Sequence, residues 1–137
     1  MSSDRSGYVP PGFLMARVVN PMVRAFGAPT LTVRGRRTGR RISIPVNPLD
    51  QGGAVYLVAG SGETHWVRNL RAAGEGELRR KRAVQRFRAV ELHGDEHDRI
   101  VAAYRVAMGR RVSALFKRLP DSADHPAFRV DPVAPPG

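Results

Sequence analysis

Apolar and polar residues alternate from Thr30 to Arg34 and again from Arg41 to Asn47, the two-residue period of a half-buried strand. In the second stretch Ile42, Ile44 and Val46 share one face. Arg41, Ser43, Pro45 and Asn47 share the other, which is therefore open to a ligand. Val55 to Ala59 is continuously apolar, as a strand covered on both sides is, and Asp50-Gln51-Gly52-Gly53 before it reads as a turn. Glu77 to Leu92 reads as a hairpin with a heavily charged face (Arg79, Arg80, Lys81, Arg82, Arg86, Arg88), and Ala127 to Val130 as a last strand.

Helical spacing occupies the intervals. Phe13, Val18, Met22 and Phe26 form one stripe, interrupted by Pro21, in an N-terminal helical segment over 10–27, while residues 1–9 read as disordered. Trp66, Leu70 and Ala73 lie at helical spacing between a Thr64 cap and a Gly74 stop. A further stripe runs through Ile100, Ala103, Tyr104 and Ala107 behind Asp95 and Glu96, whose charges suit a helix start. Another carries Val112, Leu115, Phe116 and Leu119 up to Pro120. Five or six short strands with few helices predict a mainly β (α+β) domain spanning 1–137, a small barrel rather than a βαβ fold. Side chains fill the inside of a barrel this small, so a ligand is expected in an outer groove or at a subunit interface.

Composition narrows the chemistry. The chain of 137 residues has no cysteine, which excludes disulfides, thiolate metal sites and a cysteine nucleophile and fits a cytoplasmic setting. Its apolar runs are too short to span a bilayer, and no signal peptide is visible. The net charge of +11 attracts anions, and since Lys81 and Lys117 are the only lysines, nearly all of the positive charge is arginine.

Five of those arginines (34, 36, 37, 40, 41) crowd the bend Arg34-Gly35-Arg36-Arg37-Thr38-Gly39-Arg40-Arg41. Fixed guanidinium charge on a glycine-containing turn suits a phosphate or another polyanion, although in an arginine-rich chain such a bend is also a plain solvated turn. The loop Gly60-Ser61-Gly62-Glu63 then leads into the Trp66 helix, whose start offers unpaired N–H groups to the same ligand. Asn69 lies three residues after Trp66 and so shares its side, placed to bond a ligand or to cap a neighbouring loop.

These segments resemble the deazaflavin-dependent nitroreductase family of split β-barrel oxidoreductases. The resemblance rests on Thr30 to Gly39, Pro45-Val46-Asn47, Val55 to Ala59 and Trp66 to Gly74, and extends from about Thr30 to Leu92. It implies a split barrel of about six antiparallel strands with flanking helices, often dimeric, holding coenzyme F420 along one side. Arg36, Arg37, Thr38 and Gly39 match the segment that contacts the cofactor's phosphate and acidic tail. The ring is expected against Ser43, Pro45 and Asn47 and the loop Ala59, Gly60 and Ser61, with Trp66 and Asn69 closing one side. Two basic positions of the family pattern are missing: Ile42-Ser43-Ile44 stands where a basic residue precedes the proline, leaving Arg40 or Arg41 to replace it, and the Gly60-Ser61 loop lacks a lysine.

The implied reaction is hydride transfer to an electron-poor small molecule such as a quinone or nitroaromatic, with FMN as the alternative cofactor. The late tyrosines of nitro-reducing members are absent from Arg110 to Leu119, so Tyr104, with Tyr8 and Tyr56 behind it, and His65 beside the pocket are the candidates for catalysis. His93 and His97 do not form a metal-ligand spacing, and no metal is expected. Phe13 to Phe26 is expected to pack on the barrel, with contact to a membrane surface as the second reading. A nucleic-acid or anionic-lipid binder is the rival class, and it is weakened by the basic hairpin carrying Phe87 as its only aromatic residue.

Overall fold

The computed structural model describes residues 28–134. The N-terminal helical segment, the Phe13 to Phe26 stripe and Tyr8 lie outside them. The alternating stretches form strands β1 (Thr30–Arg34) and β2 (Arg41–Pro45), paired antiparallel with Thr32 opposite Ser43. The expected turn at Asp50 begins later than the sequence suggests. Leu49–Gln51 is a strand, β3, and the bend falls on Gly52 and Gly53, whose φ values of 58° and 82° need glycine. Next come β4 (Ala54–Val58), helix α1 (His65–Ala73), the hairpin β5 (Glu75–Arg80) and β6 (Ala83–Glu91), helices α2 (Gly94–Met108) and α3 (Arg110–Arg118), and β7 (Ala127–Pro132).

The seven strands of the described residues belong to one antiparallel sheet in the order β2-β1-β5-β6-β7-β4-β3, wrapped as the half-barrel of a split-barrel fold. Inward-facing Leu31, Val33, Leu57, Leu78, Phe87 and Phe128 enclose Val67 and Leu70 of α1, so this helix fills the concave side. Burial of large side chains here drives the wrapping, and Trp66 joins by a tilted contact to Phe128 at 6.2 Å. A second core lies on the outer face of β4 and β7, where Tyr56, Val58 and Ala127 meet Ile100, Tyr104, Val112 and Phe116 of α2 and α3. Near the open side Arg80 of β5 grips Asp50 of β3 through two hydrogen bonds of 2.6 and 2.9 Å.

His125 ties the two cores together. It is fully buried, and its ring nitrogens face the carbonyl oxygens of Ala59 at 2.9 Å and Leu119 at 2.6 Å. Its ring stacks on Phe116 at 4.0 Å. The end of α3 is thereby fixed to the segment that follows β4. Close approach there depends on Gly60, where an added Cβ would lie 2.9 Å from Leu115 Cδ1.

Candidate functional site

The bend between β1 and β2 is built by its own backbone and held from outside by α1. Gly35 N–H donates to the Arg40 carbonyl at 2.7 Å, and Gly39 N–H to the Gly35 carbonyl at 2.9 Å. Thr38 Oγ1 accepts from Arg40 N–H, so this hydroxyl stabilises the turn. Asn69, only 4% exposed on α1, accepts at Oδ1 from the Arg36 backbone N–H (3.1 Å) and from its guanidinium (2.7 Å). The same guanidinium lies 3.4 Å from His65 Nδ1. Asn69 is therefore the cap of a neighbouring loop, and it fixes both the backbone and the charged head of Arg36.

The electrostatics of this corner are one-sided. Burial lowers the pKa of Arg36, and repulsion from Arg37 and Arg68 lowers it further. Burial likewise lowers the pKa of His65 below its usual 6.5, helped by Arg36, Arg37 and Arg68. Among the described residues Arg36, Arg37 and Arg68 make no ion pair with a carboxylate. Glu63, the nearest acidic residue in sequence, is instead gripped by Arg71, which also binds Glu91. Three guanidinium groups and a neutral imidazole thus gather around the first turn of α1, whose free N–H groups add to the positive potential.

A cavity of about 300 Å³ opens on the other side of the same helix start. Its walls include Pro45, Val46 and Asn47 after β2, Leu57 and Val58 of β4, and Gly60 and Ser61 of the following loop. Thr64 and Trp66 lead in from α1, Tyr104 from α2, and Arg111, Val112 and Leu115 from α3. The Tyr104 hydroxyl is acted on by the Asn47 side chain from another wall. Burial raises its pKa above the usual 10.0, against the opposing effects of Asn47 and Arg111, so the phenol keeps its proton at neutral pH.

Thr64 departs from its expected role. Its backbone has the extended geometry of an N-cap, yet its side chain makes no capping bond. Its buried Oγ1 has no hydrogen-bond partner, and Thr64 is one of the residues that line the cavity. A buried hydroxyl without a partner carries a desolvation cost that a polar ligand atom removes.

The structure thus gathers Pro45, Asn47, Gly60, Ser61, Trp66 and Tyr104 in one cavity, with Arg36, Arg37, His65 and Asn69 at its flank. Of the other expected residues, Thr38, Gly39 and Arg40 lie in the β1–β2 bend, and Ala59, Ser43 and Arg41 are engaged elsewhere. Ala59 is 1% exposed and bonds internally, Ser43 Oγ bonds Thr32 Oγ1 at 2.7 Å, and Arg41 pairs with Glu77 at 2.7 Å. Arg68, Arg111, Val112 and Leu115 were not among the expected site residues. Arg68 was within reach, three positions after His65 on the same helix. The α3 residues gave no local signal, since only the fold brings them to the Gly60 loop. His97, one of the two spaced histidines, meets Asp98 and the His125 carbonyl, and no metal-binding cluster occurs among the described residues. No described helix is long and apolar enough to cross a membrane.

Comparisons with known proteins bear on the same region. A family model described as F420H(2)-dependent quinone reductase matches residues 15–114. No curated protein matches the sequence. Among solved structures, the chain is similar to an F420-H2 dependent reductase (FDR-A), with 20% identity, a TM-score of 0.56, and 77% of this chain and 94% of that one covered. It is also similar to a domain-swapped dimer (16% identity, TM-score 0.57, 89% and 100% covered). HutZ, a heme storage protein from Vibrio cholerae, matches at 14% identity with a TM-score of 0.60, covering 88% and 92%. At these identities the structural likenesses establish the split-barrel fold.

Proposed function

The chain belongs to the F420H(2)-dependent quinone reductase family, and from that premise we propose that it passes a hydride from reduced coenzyme F420 to a quinone or a similarly electron-poor small molecule. It is an F420-dependent oxidoreductase by family. The observation that carries the proposed site is a cluster of guanidinium groups, none of them in an ion pair among the described residues, around a helix start that also opens onto a cavity.

The residues present fit such a cofactor. Arg36, Arg37 and Arg68 would hold its phosphate and acidic tail, with Thr38 and Gly39 shaping the bend and Arg40 beside them. Pro45, Asn47, Gly60, Ser61 and Trp66 would receive the ring. When bound, reduced F420 supplies the hydride. The protein's own contribution is positional and electrostatic. Asn69 keeps Arg36 in place, the apolar wall from Leu57 to Leu115 excludes water, and Tyr104 holds a proton inside the cavity. A phenol kept neutral by burial can bond the acceptor's carbonyl oxygen and offset the charge that develops there.

Titrating the protein into F420 and following the cofactor's fluorescence tests this reading. We expect saturable binding at micromolar concentrations, and oxidation of reduced F420 only when protein and a quinone are both present. Absence of binding, or purified protein that carries a yellow flavin and ignores F420, overturns it.

A further inference from the structure

The two ionisable groups in the cavity wall differ sharply in what already engages them. Tyr104 is buried and lies within the influence of Asn47. Arg111 carries a charge that no described carboxylate pairs. Its guanidinium makes one hydrogen bond, of 2.8 Å, to the Met108 thioether, which is a weak acceptor, and it has no ion pair among the described residues. Asp and Glu are absent from the lining, so nothing in the wall compensates this charge. Arg111 nonetheless acts on the interior, since its charge reaches the Tyr104 hydroxyl. Neighbouring Val112 and Leu115 present apolar surface beside it.

An apolar slot with a polar phenol within and one uncompensated guanidinium at its edge is complementary to a particular kind of molecule. We propose that Arg111 selects acceptors that carry an acidic substituent, namely quinones bearing a carboxylate or sulfonate, over neutral quinones of the same ring. This inference rests on the assignment of the cavity to a quinone-reducing site. The guanidinium is planar and presents several donors, so it can take a carboxylate or sulfonate in two parallel hydrogen bonds. The substituent lies outside the reacting centre, so its attraction orients the ring and lowers KM. In the reaction the quinone gains a hydride and a proton and becomes the hydroquinone. The same two electrons leave reduced F420, and the acidic group is unchanged.

The test compares a naphthoquinone sulfonate with methylnaphthoquinone at physiological ionic strength. Trp66 is the only tryptophan and lines the cavity, so quenching of its fluorescence reports quinone binding without turnover. We expect the wild type to bind the sulfonate about tenfold more tightly, as one charge-assisted contact gives, and to show the same preference in KM rather than kcat. Arg111→Gln abolishes the preference, and Arg111→Lys keeps part of it. Equal binding of both quinones by the wild type overturns the proposal, as does a preference that survives Arg111→Gln. Loss of F420 affinity in Arg111→Gln with the preference intact also overturns it, placing the guanidinium on the cofactor instead. A charge preference in quenching without any F420-dependent turnover would uphold the role of Arg111 and overturn only the assigned reaction.

Discussion

Two arginine-loaded hairpins stand on the same sheet, and they hold their charges differently. In β5–β6, Arg79, Arg80, Lys81, Arg82, Arg86 and Arg88 are spread along both strands and the turn, and Arg80 is neutralised by Asp50. In β1–β2 the positive residues are no more numerous. There, however, Arg36 is pinned by a buried amide and crowded by Arg37 and Arg68, with no carboxylate pairing any of the three. Charge count does not separate the two regions. Each hairpin has one arginine in an ion pair, Arg41 with Glu77 and Arg80 with Asp50, so what separates them is the rigid neutral anchor at Arg36 and the crowding of like charges around it, which is costly until an anion arrives.

The largest expected effect breaks this contrast directly. Replacing Arg36 and Arg37 together by Ala should weaken F420 binding roughly 100-fold or more, since each charge-assisted contact contributes about 1.5–3 kcal/mol. The matching pair Arg82→Ala and Arg86→Ala should change it by less than about twofold, as exposed charges screened by salt do. Fluorescence titration measures both, and similar losses in the two variants would reduce the difference between the hairpins to net charge.

Asn69→Ala comes next. Removing the Oδ1 acceptor frees the Arg36 head and orphans a backbone N–H, which should cost about 1–3 kcal/mol of stability and lower F420 affinity about tenfold. Urea unfolding and the same titration separate the two effects, and unchanged affinity would show that Arg36 needs no anchor.

A smaller effect concerns His65. Its pKa in the free protein is depressed below 6.5 by burial and the arginines, and an anionic ligand among those charges should raise it. Binding is then accompanied by proton uptake, so affinity should rise by about threefold as the pH falls through the histidine range. His65→Gln should flatten that dependence, and a wild-type affinity that falls with acidification would refute the assignment.

The smallest effect belongs to the other hairpin. Arg80 lowers the Asp50 pKa below 3.8, so the pair's contribution to stability is present above that value and disappears as the pH falls through the lowered native value. Both side chains are substantially exposed, at 38% and 64%, which limits the contribution to about 0–1 kcal/mol. Asp50→Asn should therefore cost that little at neutral pH and nothing in strong acid, while leaving F420 binding intact.

Local pattern carried much of this molecule. Alternation placed β1 and β2, the apolar run placed β4, and Gly74 closed α1 with a φ of 73°. Strand β3 escaped because two of its three residues, Asp50 and Gln51, are polar and exposed, leaving Leu49 as the only inward signal. At the site, the family resemblance and residue type pointed to Arg36, Trp66, Asn69 and Tyr104, of which Trp66 and Tyr104 line one cavity and Arg36 and Asn69 bond each other. They could not tell which arginines are already paired. Arg41 meets Glu77 across 36 positions and Arg80 meets Asp50 across 30, partnerships between strands that are not neighbours and that only the wrapped sheet creates. Thr64 is the N-cap the sequence indicated, but its buried hydroxyl makes no capping bond, which the residue type alone does not reveal.

His125 works as a rivet. One imidazole joins the strand-side floor of the pocket to the helix that roofs it, without facing any ligand itself. A substitution there would therefore be felt as an altered tolerance for bulky acceptors rather than as a missing contact. Sequence drift at this remote position could thus retune which molecules the enzyme accepts while every ligand-facing residue stays the same.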